Sequence, residues 1–361
     1  MIIRFPLVEN VIWTLVIVLI VVIVVLVIYL KVLRNDIRNI EAKKIQYTAK
    51  IEQLLVKYLY LEEHQENYCK DQKDIIDTFK IGVKNSRKRR IINYTFLKLS
   101  QQISGNMINI MRELYDEIGL FKFAVNKLKS RNWNIIALGI RDLRQFEVKK
   151  VSNLVEKFVN HNKEEVRREA HLYFLELFEF EGLNFLDNLK LPLSEWDQIE
   201  LLLEIEKFDN QNILEVDKWL KSDNIYVILF ILNIVKIFNK LETKNILLEL
   251  IFHKNEVVRL KTLDVVIHFE IIEAKDLLIN NYDKLSLKEK VLLFKLLEKV
   301  ATQNDVPFLL NYITDTNFEI KSKALFILRK IDETVYENLE KVLEDVDYNR
   351  IIKFLDYQYG V

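Results

Sequence analysis

The stretch Phe252–Val266, FHKNEVVRLKTLDVV, places His253, Asn255 and Arg259 close together and then runs into apolar residues at helical spacing. Two readings compete. As a site, the three polar side chains would converge on a ligand. As a joint, they would cap and brace the turn before a helix. Comparison of the chain with itself decides for the joint. KNEVVRLKTLDVV aligns with NKEEVRREAHLYF and with DTNFEIKSKALFIL, and each copy carries an apolar residue, a base and, four positions after the apolar one, a compact residue. Those triples are Val258-Arg259-Thr262, Val166-Arg167-Ala170 and Ile320-Lys321-Ala324. Weaker copies begin at Trp133 (with Ala137), Trp196, Val227 and Leu287, so that about seven copies recur roughly every 29 to 33 residues. The expected unit is two helices of about 12 residues joined by short polar turns, as in YVILFILNIVKIF followed by ETKNILLELIF. One helix pair cannot hide its apolar face, so neighbours must stack.

Composition agrees with an all-α chain. Six glycines and three prolines in 361 residues leave little material for sheet turns or glycine-rich catalytic loops. Lys plus Arg and Asp plus Glu are both 53, so no overall basic field draws in nucleic acid. Cys69 is the one cysteine, which excludes an internal disulfide and a multi-cysteine metal site.

The repeat resembles the HEAT family. Asp315, Asn317, Ile320, Lys321 and Ala324 match that family's turn, with lysine in place of arginine. Asn255, Val258 and Arg259 match it in part, as do Asn224 and Val227. The Trp196 and Leu287 copies lack the polar signature, and the first-helix proline is mostly missing. The resemblance covers roughly residues 110–335. It implies an α-solenoid that binds proteins, with Arg167 and Arg259 laddering one turn to the next. It also admits an enzyme, since DNA glycosylases and bilin lyases occur among HEAT-like proteins.

Residues 11–30, VIWTLVIVLIVVIVVLVIYL, carry no charge. Twenty residues of helix span roughly 30 Å, the thickness of a bilayer's hydrocarbon core. No small-residue cleavage pattern follows, so the segment is expected to remain as a transmembrane anchor. Lys31, Arg34, Arg38, Lys43 and Lys44 follow it, against Arg4 before it, which places the large C-terminal part in the cytoplasm of a bacterial cell. Positions 37, 40, 44, 47, 51, 54, 58 and 61 then repeat at 3-4 spacing, broken by Lys44. The preferred reading is an amphipathic stalk lying on the rest of the protein; self-association through residues 37–61 is the alternative.

The expected organisation is a tail at 1–10, a transmembrane helix at 11–30, a stalk and polar hinge at 31–85, a solenoid at 86–334 and capping helices at 335–361. The densest basic cluster, Lys84, Arg87, Lys88, Arg89 and Arg90, suits contact with anionic lipid or a protein partner, or a solvated helix start capped by Ser86. No phosphate loop or metal spacing is found. His64 and Cys69 do not share a helical face, and His161 and His253 precede repeat turns. Phe174 and Phe178 suit the core more than a ligand pocket. No cofactor, metal or catalytic residue is therefore expected. The expected structural turn residues are Arg167, Arg259, Asp315, Asn317 and Lys321. Function is read as a membrane-anchored scaffold for a protein partner. The alternatives are an accessory subunit of a membrane machine, such as an envelope-polysaccharide synthase or transporter, and a lyase-like enzyme.

Overall fold

Chain segments poor in glycine and rich in apolar residues at 3.6-residue spacing form helix after helix here. The computed structural model describes residues 6–61, 70–208, 216–340, 350, 351, 353, 354 and 357, and every regular element among them is helical. The tail at 1–5, the His64–Cys69 stretch of the expected hinge and most of the expected cap after 340 lie outside the described residues. The chain divides into two compact units, Met1–Val151 and Ser152–Val361.

The first unit begins with α1 (Pro6–Leu59), 54 residues without a break, about 80 Å long at 1.5 Å per residue. Its apolar half is long and apolar enough to cross a membrane, with mean hydropathy 3.4 and none of that window buried. The expected stalk is the same helix continued. From Tyr47 onward α1 packs on its own unit: Ile51, Leu55, Tyr58 and Leu59 are buried, against α2 (Lys70–Lys84), α3 (Ser86–Ser100) and α4 (Asn106–Glu117). Ile37 and Ile40 stay 53% and 61% exposed. The stretch 37–61 therefore splits. Its second half lies on the chain's own helices, and those positions are not free for another copy. The unit closes with the pair α5 (Leu120–Lys127) and α6 (Trp133–Gln145). Phe79, Phe96, Tyr115 and Phe146 fill its centre, with Tyr115 stacked on Phe146 at 3.8 Å between centroids.

The second unit is a run of helix pairs. Its long second helices are α8 (Glu164–Phe178), α9 (Glu195–Ile205), α11 (Ile225–Ile237), α13 (Glu256–Phe269), α15 (Leu287–Val300) and α17 (Phe318–Ile331). Helix α7 (Ser152–Val155) and the 3-10 segment Glu156–Phe158 precede α8. The 3-10 segment Glu179–Asn188 precedes α9, α10 (Val216–Leu220) precedes α11, and α12 (Lys244–Leu250) precedes α13. Helices α14 (Ile272–Ile279) and α16 (Val306–Leu310) precede α15 and α17, and α18 (Glu333–Glu340) follows. Helices α10, α12, α14 and α16 each pack on the helix that follows, the 3-10 segment Glu179–Asn188 packs on α8, and α11, α13, α15 and α17 pack in succession. One core runs through them, from Val159 and Leu172 by way of Phe230, Val265 and Phe294 to Leu328. Counting α6, the second helices start 30 or 31 residues apart, a tighter period than the sequence comparison gave.

The first helices are shorter than expected. The region read as ETKNILLELIF forms a 3-10 turn at Leu241–Thr243 and seven residues of α-helix. Thr243 bonds back to the Lys240 carbonyl at its start, and the polar turn before Asn255 claims its end.

Candidate functional site: repeat turns and the exposed edge of the second helices

The turns answer the question posed by Phe252–Val266. Asn255 caps α13, its Oδ1 accepting the N–H groups of Val257 (2.9 Å) and Val258 (3.4 Å). His253 Nδ1 accepts the N–H of Asn255 at 3.1 Å, so that nitrogen carries no proton. Arg259 Nη1 donates back to the carbonyls of His253 and Lys254, at 2.9 and 3.3 Å. The earlier copy repeats the histidine and arginine bonds, with Lys163 in place of the capping asparagine. His161 Nδ1 accepts from Lys163 N–H, and Arg167 donates to the carbonyls of His161 and Asn162. In the last copy Asp315 accepts the N–H of Asn317, and Asn317 accepts those of Glu319 and Ile320. Lys321 is buried at the arginine position. In all three copies these side chains bond within the turn that opens the second helix.

The ladder between repeats has a component that the sequence comparison missed. Arg259 Nε reaches the carboxylate of Glu289 at 2.5 Å, and Arg168 Nε that of Asp197 at 2.5 Å. Both acids belong to capping boxes, Ser194 with Asp197 and Ser286 with Glu289. These are the Trp196 and Leu287 copies that lack the asparagine signature. They substitute a serine cap whose third-position acid also receives the preceding repeat's arginine. The signal was present as Ser194-Glu-Trp-Asp197 and Ser286-Leu-Lys-Glu289, the S-x-x-D/E pattern of a capping box. In this pairing it is Arg168, beside Arg167, that crosses to the next repeat; Arg167 braces its own turn. Burial pushes the Glu289 carboxyl up, but hydrogen bonds from Arg259 and Ser286 more than offset it and hold it below the usual range. Lys275 and Asp305 make a further cross-repeat pair, buried, at 2.9 Å.

The basic cluster opens α3. Asn85, not Ser86, is the cap, its Oδ1 accepting from Arg87 and Lys88 N–H at 3.0 and 3.1 Å. Arg89 is set apart from its neighbours: it lies 3.9 Å over the Phe123 ring and donates to the Val83 carbonyl. Lys84, Arg87, Lys88 and Arg90 are exposed.

His171 is the one described histidine sealed in the core. It stacks on Phe185 at 4.3 Å, bonds the Val159 carbonyl through Nε2, and is pushed down to about 4 by burial. Phe174 and Phe178 are half-buried rather than fully in the core. With Glu156, Glu181 and Gly182 they edge a hollow of about 530 Å³. The 3-10 segment after α8 folds back so closely that a Cβ on Gly182 would sit 2.2 Å from the Phe174 carbonyl oxygen, so glycine is required there. Among the described residues no group of His, Cys, Asp and Glu is suited to a metal ion.

The surface holds an apolar row. At the first or second position of five successive second helices stand Trp196, Tyr226, Val257, Leu287 and Phe318, exposed by 58, 36, 57, 57 and 58%. Because each helix starts at the same point of its repeat, the row runs along one edge of the stack. Ile199 and Leu203 extend it down α9, one and two turns from Trp196, and are also exposed. Between α13, α15 and α17 the row borders a hollow of about 430 Å³, lined by Leu260, Leu287, Val291 and Leu292 with Lys288 and Glu319 at its edge. Each of these helices thus leaves a large apolar side chain in water near its N-terminus, which is unfavourable unless something covers it.

No family model matches the chain, and no curated protein matches it in sequence. Among solved structures it is similar to an engineered protein, at 12% identity and TM-score 0.32 over 85% of this chain and 88% of that one. Kap121p matches at 13% identity and TM-score 0.28, over 82% of this chain and 34% of its own. The complex of CpcE and CpcF of phycocyanin lyase from Nostoc sp. PCC7120 matches at 10% and 0.24, over 82% and 97%. At such scores the repeat architecture rests on the helix spacing and packing described above.

Proposed function

We propose that this chain is a membrane-anchored scaffold whose stacked second helices hold a protein partner on the cytoplasmic side. The observation that carries the reading is the apolar row Trp196, Tyr226, Val257, Leu287 and Phe318, repeated with the period of the fold and left uncovered. Aromatic anchors beside apolar hollows are the side chains that dominate protein interfaces. The apolar half of α1 supports the anchor, and the bases that follow it support the orientation. Confinement to the membrane raises the effective concentration of whatever is held there.

The test is affinity purification of the full-length protein from detergent-solubilised membranes, in parallel with a Trp196→Glu/Val257→Glu/Phe318→Glu variant. A partner retained by the first and lost by the second supports the reading. A partner retained equally by both contradicts the assignment of the row. Recovery of one integral-membrane enzyme in fixed stoichiometry would identify the chain as that machine's accessory subunit.

A further inference from the structure

The fold assembles a basic patch that the sequence leaves in two pieces. Lys88 Nζ lies 5.5 Å from the centroid of the Tyr47 ring, which brings the start of α3 against α1. A Cβ on Gly82 would stand 2.8 Å from the Tyr47 hydroxyl, so the end of α2 is pressed to the same place. On α1, Lys43, Lys44 and Lys50 lie three or four residues from Tyr47 and so share its side of the helix. With Lys84, Arg87, Lys88 and Arg90, at the α2–α3 turn that packs on this part of α1, they make seven exposed bases in one region of the unit. Among the described residues none of the seven forms an ion pair, whereas six other bases of this unit do: Lys57, Lys80, Lys98, Arg112, Lys127 and Lys150. Like charges gathered in one region and not ion-paired are a cost that an anionic ligand would relieve.

The continuous helix decides what kind of anion. Tyr47 follows Leu30, the last residue of the uncharged run, by 17 positions of unbroken helix, which is about 26 Å along the axis. A headgroup layer adds roughly 5–8 Å to the hydrocarbon core, and charge is screened over about 8 Å at physiological salt. The centre of the patch therefore stands beyond the reach of the bilayer in which α1 would be anchored. Lys31, Arg34 and Arg38 are the bases at headgroup height, lining a shallow hollow on α1 with Ile28 and Val32.

We infer that Lys43, Lys44, Lys50, Lys84, Arg87, Lys88 and Arg90 form a docking surface for an acidic segment of a protein partner, held clear of the lipid. The inference rests on the membrane reading for its distance argument. A protein segment suits the patch better than nucleic acid, because the rest of the chain is charge-balanced and offers no continuing basic track.

The test uses full-length protein in nanodiscs of neutral phosphatidylcholine and, in parallel, in neutral detergent, with a fluorescent polyglutamate peptide as probe. Binding is expected in both, weakening as salt rises. It should fall roughly tenfold or more in K43E/K50E/R87E/R90E and by less in the glutamine series at the same positions. All are exposed surface positions, and the helical circular dichroism of each variant checks its fold. Binding that the substitutions leave unchanged overturns the proposal. So does a patch-dependent gain on anionic over neutral vesicles, which would assign the bases to lipid, or tighter patch-dependent binding of a single-stranded oligonucleotide. Failure to enter nanodiscs while polyglutamate still binds in detergent would count against the anchor and not against the patch.

Discussion

Glu289 shows at the scale of one residue why the joints cannot be altered freely. Its side chain is 1% exposed and its carboxylate is held by Arg259 and by the Ser286 N–H. Removing the arginine strands a buried charge, which costs far more than the pair itself contributes. Arg259→Ala is expected to lower stability by about 2–3 kcal/mol in urea titration, the partial exposure of the arginine keeping it below the fully buried case. Lys244→Ala, which breaks an exposed pair with Glu273, should leave the urea midpoint essentially where it is. His171 adds a pH dependence. In the unfolded chain it takes up a proton below about 6.5, but in the folded chain only near 4. A depressed histidine therefore stabilises the fold above the unfolded value, and that contribution drains away as pH falls from 6.5 towards 4, by about 3 kcal/mol at most. His171→Gln, which keeps a donor for the Val159 carbonyl, should flatten the stability profile across that window. An unchanged slope would assign the acid sensitivity elsewhere.

Caps and the long helix carry the argument at the scale of elements. Asn255→Ala should cost about 1 kcal/mol, as loss of a helix cap does, and Asn85→Ala a similar amount in the first unit. The continuity of α1 has a direct reading: spin labels at positions 32 and 50 should report a single narrow distance of about 27 Å, the rise of 18 helical residues. A broad or much shorter distribution would mean that the helix breaks between the apolar segment and the packed part. Much at this scale was legible in the sequence, and the exceptions have physical causes. The Asn255 and Asn317 caps were visible because asparagine before an apolar-base pair recurs, and Asn224 because it stands at the same distance before Val227. The Trp196 and Leu287 copies were read as weaker members without the polar signature, and their Ser194 and Ser286 caps were missed, because a serine cap with an acid at the third position solves the same hydrogen-bond problem with other side chains. The first helices were expected to be longer, because apolar spacing does not distinguish a full helix from a 3-10 turn followed by seven helical residues. The bases at 84–90 were legible as a cluster, but their meeting with the lysines of α1 was not, since Tyr47 and Lys88 come together only through the packing of α3 on α1.

For the whole molecule, the period proved more informative than any single motif. A spacing of 30 or 31 residues fixes where each second helix begins, and it is that regularity which lines up Trp196, Tyr226, Val257, Leu287 and Phe318 into one edge. The row itself could not be read from the chain in advance. Val257 and Leu287 look like core residues until the register of their helices shows that the neighbouring Val258 and the later Leu293 take the buried places. The candidate site is thus a product of repetition, each copy contributing one side chain that it does not bury. The measurement that bears most directly on this account is photocrosslinking in cells, with a photoreactive amino acid placed in turn at positions 196, 257 and 318 and, as a control, at exposed Asp276 on the first-helix side. The account predicts one common adduct from the three row positions, recovered in the membrane fraction, and none from position 276. Adducts of equal strength from all four positions, or an adduct from position 276 with none from the row, would contradict it.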